Sequence, residues 1–304
     1  MLGRKTGLLL AGFFMASTLI TGCGSTATPS SSSKSSTAST ATSSSHKGTI
    51  KIGYINWAED VATSYLWADL LQQKGYHVKL RTLGVGALFA GLAQDRLNLY
   101  FDAWMPSTSS IPMKPYIHHY VSLGKWYQGK TLEGFVVPKY VKNVNTMAQL
   151  KAHAAEFNHK IVGIEPGSGE TALAKKAIKA YGLTNMHLVS TSSPAMLASL
   201  KRAYAAKKPI VVLLWSPHWA FAKYNLKYIQ DPKYVFGKPG WIQSEANKVW
   251  VKKHPTVSGW LKNFKLTPKQ LGTLEVDINN ASSKMAGVKK WVAANQSLVN
   301  SWFK

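Results

Sequence analysis

The chain has 304 residues, one cysteine, 45% hydrophobic residues and a formal net charge of +24. A single cysteine excludes an internal disulfide and leaves no second thiol for catalysis or metal binding. The basic residues are scattered and accompany no nucleic-acid-binding motif, so we expect no nucleic-acid partner. The charge instead favours contact with anionic lipids or wall polymers, or life in acidic surroundings, where few carboxylates means few groups to protonate.

Residues 1–22 are typical of an export signal, with a basic start followed by the apolar stretch Leu8 to Ile20, which is short for a membrane span. The stretch ends in Leu19-Ile20-Thr21-Gly22-Cys23, which resembles the lipobox of bacterial lipoproteins. That resemblance implies a signal peptide over 1–22 and lipidation of Cys23. A lipid-anchored protein on the extracytoplasmic face of the cell membrane is therefore expected, the alternative being a stray cysteine in an uncleaved anchor.

Residues 23–48 predict a disordered tether after the lipidated cysteine, because a segment rich in Ser, Thr and Ala cannot offset its own ordering entropy. The remainder, about 255 residues, is long enough for one large domain or two lobes.

The remainder alternates strand and helix patterns, which is typical of parallel α/β units. In its first half we predict, in chain order, a strand at 49–55, a helix at 61–73, a strand at 78–82, a helix at 87–94 and a strand at 97–101. After a crossing near 134–138, the second half repeats the scheme with a strand at 160–164, a helix at 171–181, a strand at 188–190, a helix at 195–206 and a strand at 210–214.

Around 241–251 the chain is expected to cross back, and three helices near 256–263, 268–276 and 283–303 close the fold. The prediction is an α/β protein of two lobes, with lobe I formed by 49–135 plus 241–304 and lobe II by 136–240. Two lobes joined by two crossings describe a hinged clamp with a ligand cleft between them.

Three tryptophans follow predicted strands: Trp57, Trp104 and Trp215. Ligands of open α/β sheets bind at the carboxyl ends of strands, so these indoles are expected to converge on the cleft. Indole faces attract a cation that cannot donate hydrogen bonds, such as a quaternary ammonium. A core role is the alternative for each of them, since aromatic side chains dominate core burial.

The segment from Glu165 to Gly169 leads from a strand into a helix, and a helix start presents free N–H groups suited to a carboxylate or phosphate. A plain turn explains the segment equally well. His218 has no companion at metal-ligand spacing, so we expect no metal site and no cofactor. No catalytic set stands in a recognisable motif, and the pair Glu59-Asp60 is too ordinary to indicate acid–base chemistry, so we expect no enzyme.

Four motifs together resemble the glycine betaine-binding proteins of osmoprotectant ABC importers. These are Ile52-Gly53-Tyr54-Ile55-Asn56-Trp57-Ala58-Glu59-Asp60, Phe101-Asp102-Ala103-Trp104-Met105-Pro106, Gly163-Ile164-Glu165-Pro166-Gly167-Ser168-Gly169 and Trp215-Ser216-Pro217-His218-Trp219. The resemblance extends from about Lys51 to the final helix. It implies a two-lobed periplasmic-binding-protein fold, type II-like, working with an ABC permease and its ATPase subunits.

The resemblance also implies roles for single residues. Trp57, Trp104 and Trp215 would form the cage around a trimethylammonium group, and the backbone amides of Gly169 and Glu170 would hold the ligand carboxylate. One position departs from the family pattern Trp-Leu-Pro-x-Thr-His, because Ser109 stands where that histidine would add a hydrogen bond to the carboxylate. We therefore expect weaker carboxylate capture, a water bridge at Ser109, or a ligand with a different tail.

The function expected from these observations is an extracytoplasmic receptor for glycine betaine or a similar quaternary ammonium osmoprotectant. A receptor for choline, carnitine or proline betaine is the alternative within the same importer class. A non-transport protein of the cell surface whose basic face binds wall polymers is the alternative outside it.

Overall fold

A computed structural model describes residues 47–304 of the chain. The predicted signal peptide, the predicted lipidation site Cys23 and nearly all of the predicted tether lie outside the described residues. In the described part, no helix combines the length and the apolar character needed to cross a membrane.

The described residues form two five-stranded sheets surrounded by helices. The strands are β1 (Thr49–Tyr54), β2 (His77–Thr82), β3 (Leu99–Met105), β4 (Tyr120–Lys125), β5 (Leu132–Pro138), β6 (Lys160–Val162), β7 (His187–Val189), β8 (Val212–Ser216), β9 (Leu226–Tyr228) and β10 (Trp241–Asn247). The first sheet has the order β2-β1-β3-β10-β4 and the second the order β7-β6-β8-β5-β9. This arrangement is the α/β fold with two lobes that the sequence predicted.

Helices cover both sheets. They are α1 (Ala58–Gln73), α2 (Val85–Ala93), α3 (Ser110–Met113), α4 (Met147–Ala152), α5 (Gly169–Ala180), α6 (Ser193–Ala205), α7 (Ala220–Lys223), α8 (Lys248–Lys253), α9 (Pro255–Asn263), α10 (Pro268–Asn280), α11 (Lys284–Ala294) and α12 (Gln296–Ser301), with short 3₁₀ helices at Lys114–His119 and Ala154–Phe157. Within each sheet the parallel strands are connected through helices, as in other α/β folds.

Several predicted boundaries are wrong. Helix α1 begins at Ala58 rather than near residue 61, and β3 continues to Met105 because its end pairs with β10. The segment around 241–251 is strand β10 followed by α8, not a simple crossing. The final predicted helix is divided into α11 and α12. Strands β4 and β9 were not predicted.

Both sheets are mixed rather than parallel. Strand β10 lies between β3 and β4 and runs antiparallel to each, and β5 runs antiparallel to β8 and β9. Strand β5 belongs to the second sheet along its whole length, whereas the prediction divides the lobes after residue 135. The two connections between the sheets contact each other where Gly240 N–H donates to Thr131 Oγ1 at 2.8 Å.

Charge is divided between the inside and the outside of the protein. Seven of the thirteen acidic residues are buried, and no Lys or Arg among the described residues is. The buried acids are Glu59, Asp60, Asp69, Asp102, Glu170, Glu245 and Glu275. Some surface ammonium groups lie over aromatic rings, as Lys125 does over Trp241 at 3.8 Å. The basic surface therefore surrounds an interior that contains carboxyl groups.

Candidate functional site

The three predicted tryptophans lie together around one small cavity. Trp57 directly precedes α1, Trp104 lies near the end of β3, and Trp215 lies near the end of β8 in the other sheet. The rings of Trp57 and Trp215 meet edge to face, with centroids 6.3 Å apart. Their exposed fractions of 9%, 5% and 3% make all three buried, yet each contributes to the cavity wall. We call these three residues the indole group.

Acidic side chains anchor two of these indoles by their ring nitrogens. Trp57 Nε1 donates to Glu165 Oε2 at 2.9 Å, and Trp104 Nε1 donates to Asp102 Oδ1 at 2.8 Å. Glu165 also accepts the backbone N–H of Ser193 through its other oxygen. These bonds satisfy the polar edges of the rings and fix their orientation, so the π-faces remain available to line the cavity.

Glu59 lies beside the indole group, in the first turn of α1. It is 1% exposed and lines the cavity, and its Oε2 atom has no hydrogen-bond partner in the described structure. Burial raises the pKa of Glu59 from 4.5 to about 7 because desolvation disfavours the charged form. A cation entering the cavity would lower the pKa of Glu59 again, since a nearby opposite charge favours the ionised form.

Four residues form a second, hydrophilic part of the cavity wall, which we call the polar wall: Ser109, Glu133, Gly169 and Glu170. Ser109 precedes α3, Glu133 lies in β5, and the other two begin α5. Both sheets and their helices thus contribute to this wall, as they do to the indole group.

Helix α5 begins at the polar wall with a well-formed cap. Ser168 Oγ accepts the Thr171 N–H at 3.0 Å, which leaves the N–H groups of Gly169 and Glu170 without a partner inside the helix. Gly169 is packed so closely that an added Cβ would lie 1.9 Å from the carbonyl oxygen of Thr108. Only glycine allows this helix start to approach the loop after β3.

Both carboxyl groups of the polar wall have a raised pKa. Burial raises the pKa of Glu133 from 4.5 to about 7, while Ser107 Oγ donates to its Oε2 atom at 3.0 Å. Burial raises the pKa of Glu170 well above its usual range, and the neighbouring Glu133 raises it further. Glu170 is 4% exposed, and its Oε1 atom has no partner in the described structure.

Ser109 has a local structural task as well as a place in the cavity wall. Its Oγ accepts the backbone N–H of Trp104 at 2.8 Å, and its side chain is buried. The hydroxyl therefore closes the turn after the second tryptophan and keeps its own proton for one further hydrogen bond.

The sequence predicted no chemistry for His218, Asp60 and Glu59. His218 and Asp60 have structural roles, whereas Glu59 lines the cavity. His218 accepts the Ala220 N–H through Nδ1 at 3.0 Å, and burial lowers its pKa to about 3. Asp60 accepts the Ile55 N–H at 2.7 Å and supports the start of α1. Among the residues described, no group of three or more His, Cys, Asp or Glu side chains has a metal-binding arrangement.

Sequence reasoning missed two cavity carboxyls, Glu59 and Glu133. Glu59 was set aside as an ordinary acidic residue, although its position two residues after Trp57 in a helix start could have indicated it. Nothing near Glu133 in the sequence indicates a site, because only the pairing of β5 with β8 brings it beside Trp215.

The fold and this cavity define a two-lobed solute-binding protein. Residues 48–294 match the family described as the substrate binding domain of ABC-type glycine betaine transport systems. The chain belongs to this family.

Individual relatives agree with this assignment. The glycine betaine/carnitine transport binding protein GbuC of Listeria monocytogenes is 34% identical over 149 residues, which span 48% of this chain and 50% of GbuC. The chain thus matches about half the length of that curated relative.

Solved structures match more of the chain. Lactococcal OpuAC, in its closed conformation with glycine betaine, is 32% identical with a TM-score of 0.78, covering 84% of this chain and 100% of that one. The glycine betaine, L-proline-binding protein ProX of Borrelia burgdorferi is 25% identical with a TM-score of 0.79. The match covers 84% of this chain and 96% of that one.

Proposed function

We propose that this protein is an extracytoplasmic receptor that binds glycine betaine or a similar quaternary ammonium osmoprotectant and delivers it to an ABC permease driven by its ATPase subunits. The observation that carries the proposal is the indole group, in which tryptophans from both sheets line one small cavity. The family, and the relatives whose names include glycine betaine, support the same ligand class.

A trimethylammonium group has no N–H, so a carboxyl group cannot bind it through a directional hydrogen bond, whereas indole faces can enclose it. Each desolvated cation–π contact contributes up to about 2 kcal/mol. Glu59 supplies a compensating negative charge next to the indole group when it is ionised. The N–H groups of Gly169 and Glu170 at the start of α5 are suited to a carboxylate, because a helix start combines free donors with a positive dipole end.

In this proposal the two lobes close around the ligand and present a surface that the permease recognises. The lobes divide at the pair of connections that meet at Thr131 and Gly240, which form the hinge, so all of β5 lies in the second lobe. Cavity residues come from both lobes, so closure and ligand enclosure are one event.

We further propose that Cys23 carries a lipid that holds the receptor to the outer face of the cell membrane, with residues 23–48 as its tether. A protein expressed with Cys23→Ala should then appear in the soluble fraction of cells rather than with the membrane. Membrane association unchanged by this substitution would contradict the anchor.

Calorimetric titration with a panel of glycine betaine, proline betaine, carnitine and choline tests the ligand class directly. We expect saturable binding of at least one of them at one site per chain, together with a change in tryptophan emission. Binding of a wall polymer with no response to any member of the panel would favour the surface-protein alternative. We propose no enzymatic role, and each ligand should be recovered unchanged after prolonged incubation.

A further inference from the structure

The cavity wall contains more carboxyl groups than are required to balance the charge of its proposed ligand. Glu59, Glu133 and Glu170 line it together, and in the part of the chain that the structure describes its wall contains no Lys, Arg or His. One carboxyl group suffices to balance a trimethylammonium cation. A betaine brings a carboxylate of its own, which would meet the polar wall as a further negative charge.

Like charges buried near each other cannot all ionise, because the low dielectric of the interior makes their repulsion strong. The polar wall lines the same small cavity as the indole group, so a ligand carboxylate would lie close to Glu133 and Glu170. The Glu170 Oε1 atom lies buried at this wall without a partner. A protonated carboxyl is a hydrogen-bond donor and an ionised one is an acceptor only, so the proton decides whether the polar wall accepts a carboxylate.

We propose that Glu133 and Glu170 bind the carboxylate of a betaine through a proton that they hold, so that a betaine binds with proton uptake at this wall and a quaternary ammonium without a carboxylate does not. This inference rests on the proposed function and adds the condition under which each ligand class binds.

The surroundings of the pair favour the protonated form. Three acidic residues raise the pKa of Glu170: Glu133 from β5, Glu59 from α1 and Glu165 from the loop before α5. Tyr228 from β9 also lies close enough to the pair for both glutamates to raise the pKa of its hydroxyl. The backbone N–H of Gly134 acts in the opposite direction and lowers the pKa of Glu170.

Glu133 titrates near neutral pH, because burial raises its pKa to about 7, whereas burial and the neighbouring Glu133 raise the pKa of Glu170 well above its usual range. An α-carboxylate stays ionised throughout this range. If binding requires the proton on Glu133, the Kd for glycine betaine should be about tenfold higher at pH 8 than at pH 5, since about nine-tenths of Glu133 is ionised at pH 8.

Glu59 complicates a simple pH titration, because the bound cation favours its ionisation in both ligand classes. A comparison of variants removes this effect. Glutamine at position 133 keeps a donor at every pH, so Glu133→Gln should bind glycine betaine with the same Kd at pH 5 and pH 8 apart from the Glu59 contribution. The ratio of the wild-type Kd to the variant Kd should therefore rise about tenfold from pH 5 to pH 8.

The matched control is Glu156→Gln, which removes an exposed carboxyl that pairs with His153 far from the cavity wall. The ratio of the wild-type Kd for glycine betaine to the Kd of this variant should be the same at pH 5 and pH 8. Choline is the ligand control. For choline, the ratio of the wild-type Kd to the Glu133→Gln Kd should not rise from pH 5 to pH 8.

Calorimetry of the unmodified protein in two buffers of different ionisation enthalpy measures the protons directly and does not depend on any variant folding. At pH 8, the protein should take up as much as about one proton more when it binds glycine betaine than when it binds choline. Equal proton exchange for the two ligands, with a Kd ratio that is constant with pH, would overturn the inference and leave the proposed function intact. Absence of binding by either ligand at every pH would instead contradict the proposed function itself.

Discussion

The indole group and the polar wall enclose the same cavity by different physical means. Indole faces carry no titratable proton, and their orientation is fixed by hydrogen bonds such as that from Trp57 to Glu165. The polar wall includes two carboxyl groups with a raised pKa, and the protonation of one of them, Glu133, changes near neutral pH. In the proposed function, affinity for the cation depends chiefly on the placement of the indole rings, with Glu59 as the titratable group beside them, whereas affinity for the rest of the ligand depends on the protons of the polar wall.

Removal of the indole group should have the largest effect on binding. The triple change of Trp57, Trp104 and Trp215 to Ala deletes three cation–π contacts of up to about 2 kcal/mol each, so the affinity for glycine betaine should fall by up to about 10,000-fold. Calorimetric titration measures this loss, and circular dichroism verifies that the variant folds. The control Trp260→Ala removes a tryptophan of α9 that packs against Phe303 and should bind normally. Intact binding by the triple variant would contradict the cage.

The buried acids should make the fold more stable in acid than at neutral pH. Glu59 has a folded-state pKa of about 7 against an unfolded value of 4.5, so the folded protein holds a proton that the unfolded chain has lost between these values. The contribution of Glu59 to the free energy of unfolding is fully present below about pH 4.5 and is lost as the pH rises towards 7. Its size is on the order of 3 kcal/mol. Burial likewise raises the pKa of Asp60, Asp102 and Glu275.

Thermal unfolding measured from pH 4 to pH 8 checks this prediction, and the midpoint should fall as the pH rises. His218 opposes the trend, because burial lowers its pKa and its contribution is lost as the pH falls from about 6.5 towards 3. Glu59→Gln should make the curve less steep. Unfolding that begins between pH 3 and 5 on acidification would contradict both this prediction and adaptation to acidic surroundings.

Gly169→Ala tests the close contact at the polar wall. Its Cβ would lie 1.9 Å from the carbonyl oxygen of Thr108, so α5 and the loop after β3 must separate. Overpacking of this kind costs about 1–3 kcal/mol, and we expect a loss of affinity of about 5- to 100-fold. The matched control is Gly167→Ala, whose Cβ would meet only Val85 at an ordinary 3.7 Å. Equal affinities of the two variants would show that the contact does not shape the cavity.

Ser109→His should have the smallest effect. A histidine N–H adds a hydrogen bond to a ligand carboxylate, worth roughly 1 kcal/mol more than that of a neutral hydroxyl, so glycine betaine should bind about fivefold more tightly. Choline, which has no carboxylate, should gain nothing. Titration of both ligands separates this gain from a general change in the turn that Ser109 closes with Trp104. Unchanged betaine affinity would mean that position 109 does not touch the carboxylate.

Much of this molecule could be predicted from local pattern. Apolar runs and glycines predicted β1, β6 and most of the helices, because hydrophobic period and turn chemistry act within a few residues. The motifs around Trp57, Trp104 and Trp215 predicted that three indoles converge on one cleft, since ligands of open α/β sheets bind at the carboxyl ends of strands. The two-lobed α/β fold and the ligand class followed from these motifs together.

The remaining features depend on contacts between distant residues. Strand β10 enters the first sheet antiparallel between β3 and β4, and its pairing extends β3 as far as Met105. Glu133 reaches the cavity only because β5 pairs with β8, and burial there changes its pKa. A sequence records that a residue is acidic, but desolvation by residues far along the chain decides whether it carries a charge. The sequence by itself therefore predicted the three indoles of the proposed cation site, and the tertiary structure decided the environment that sets the protonation of the wall beside it.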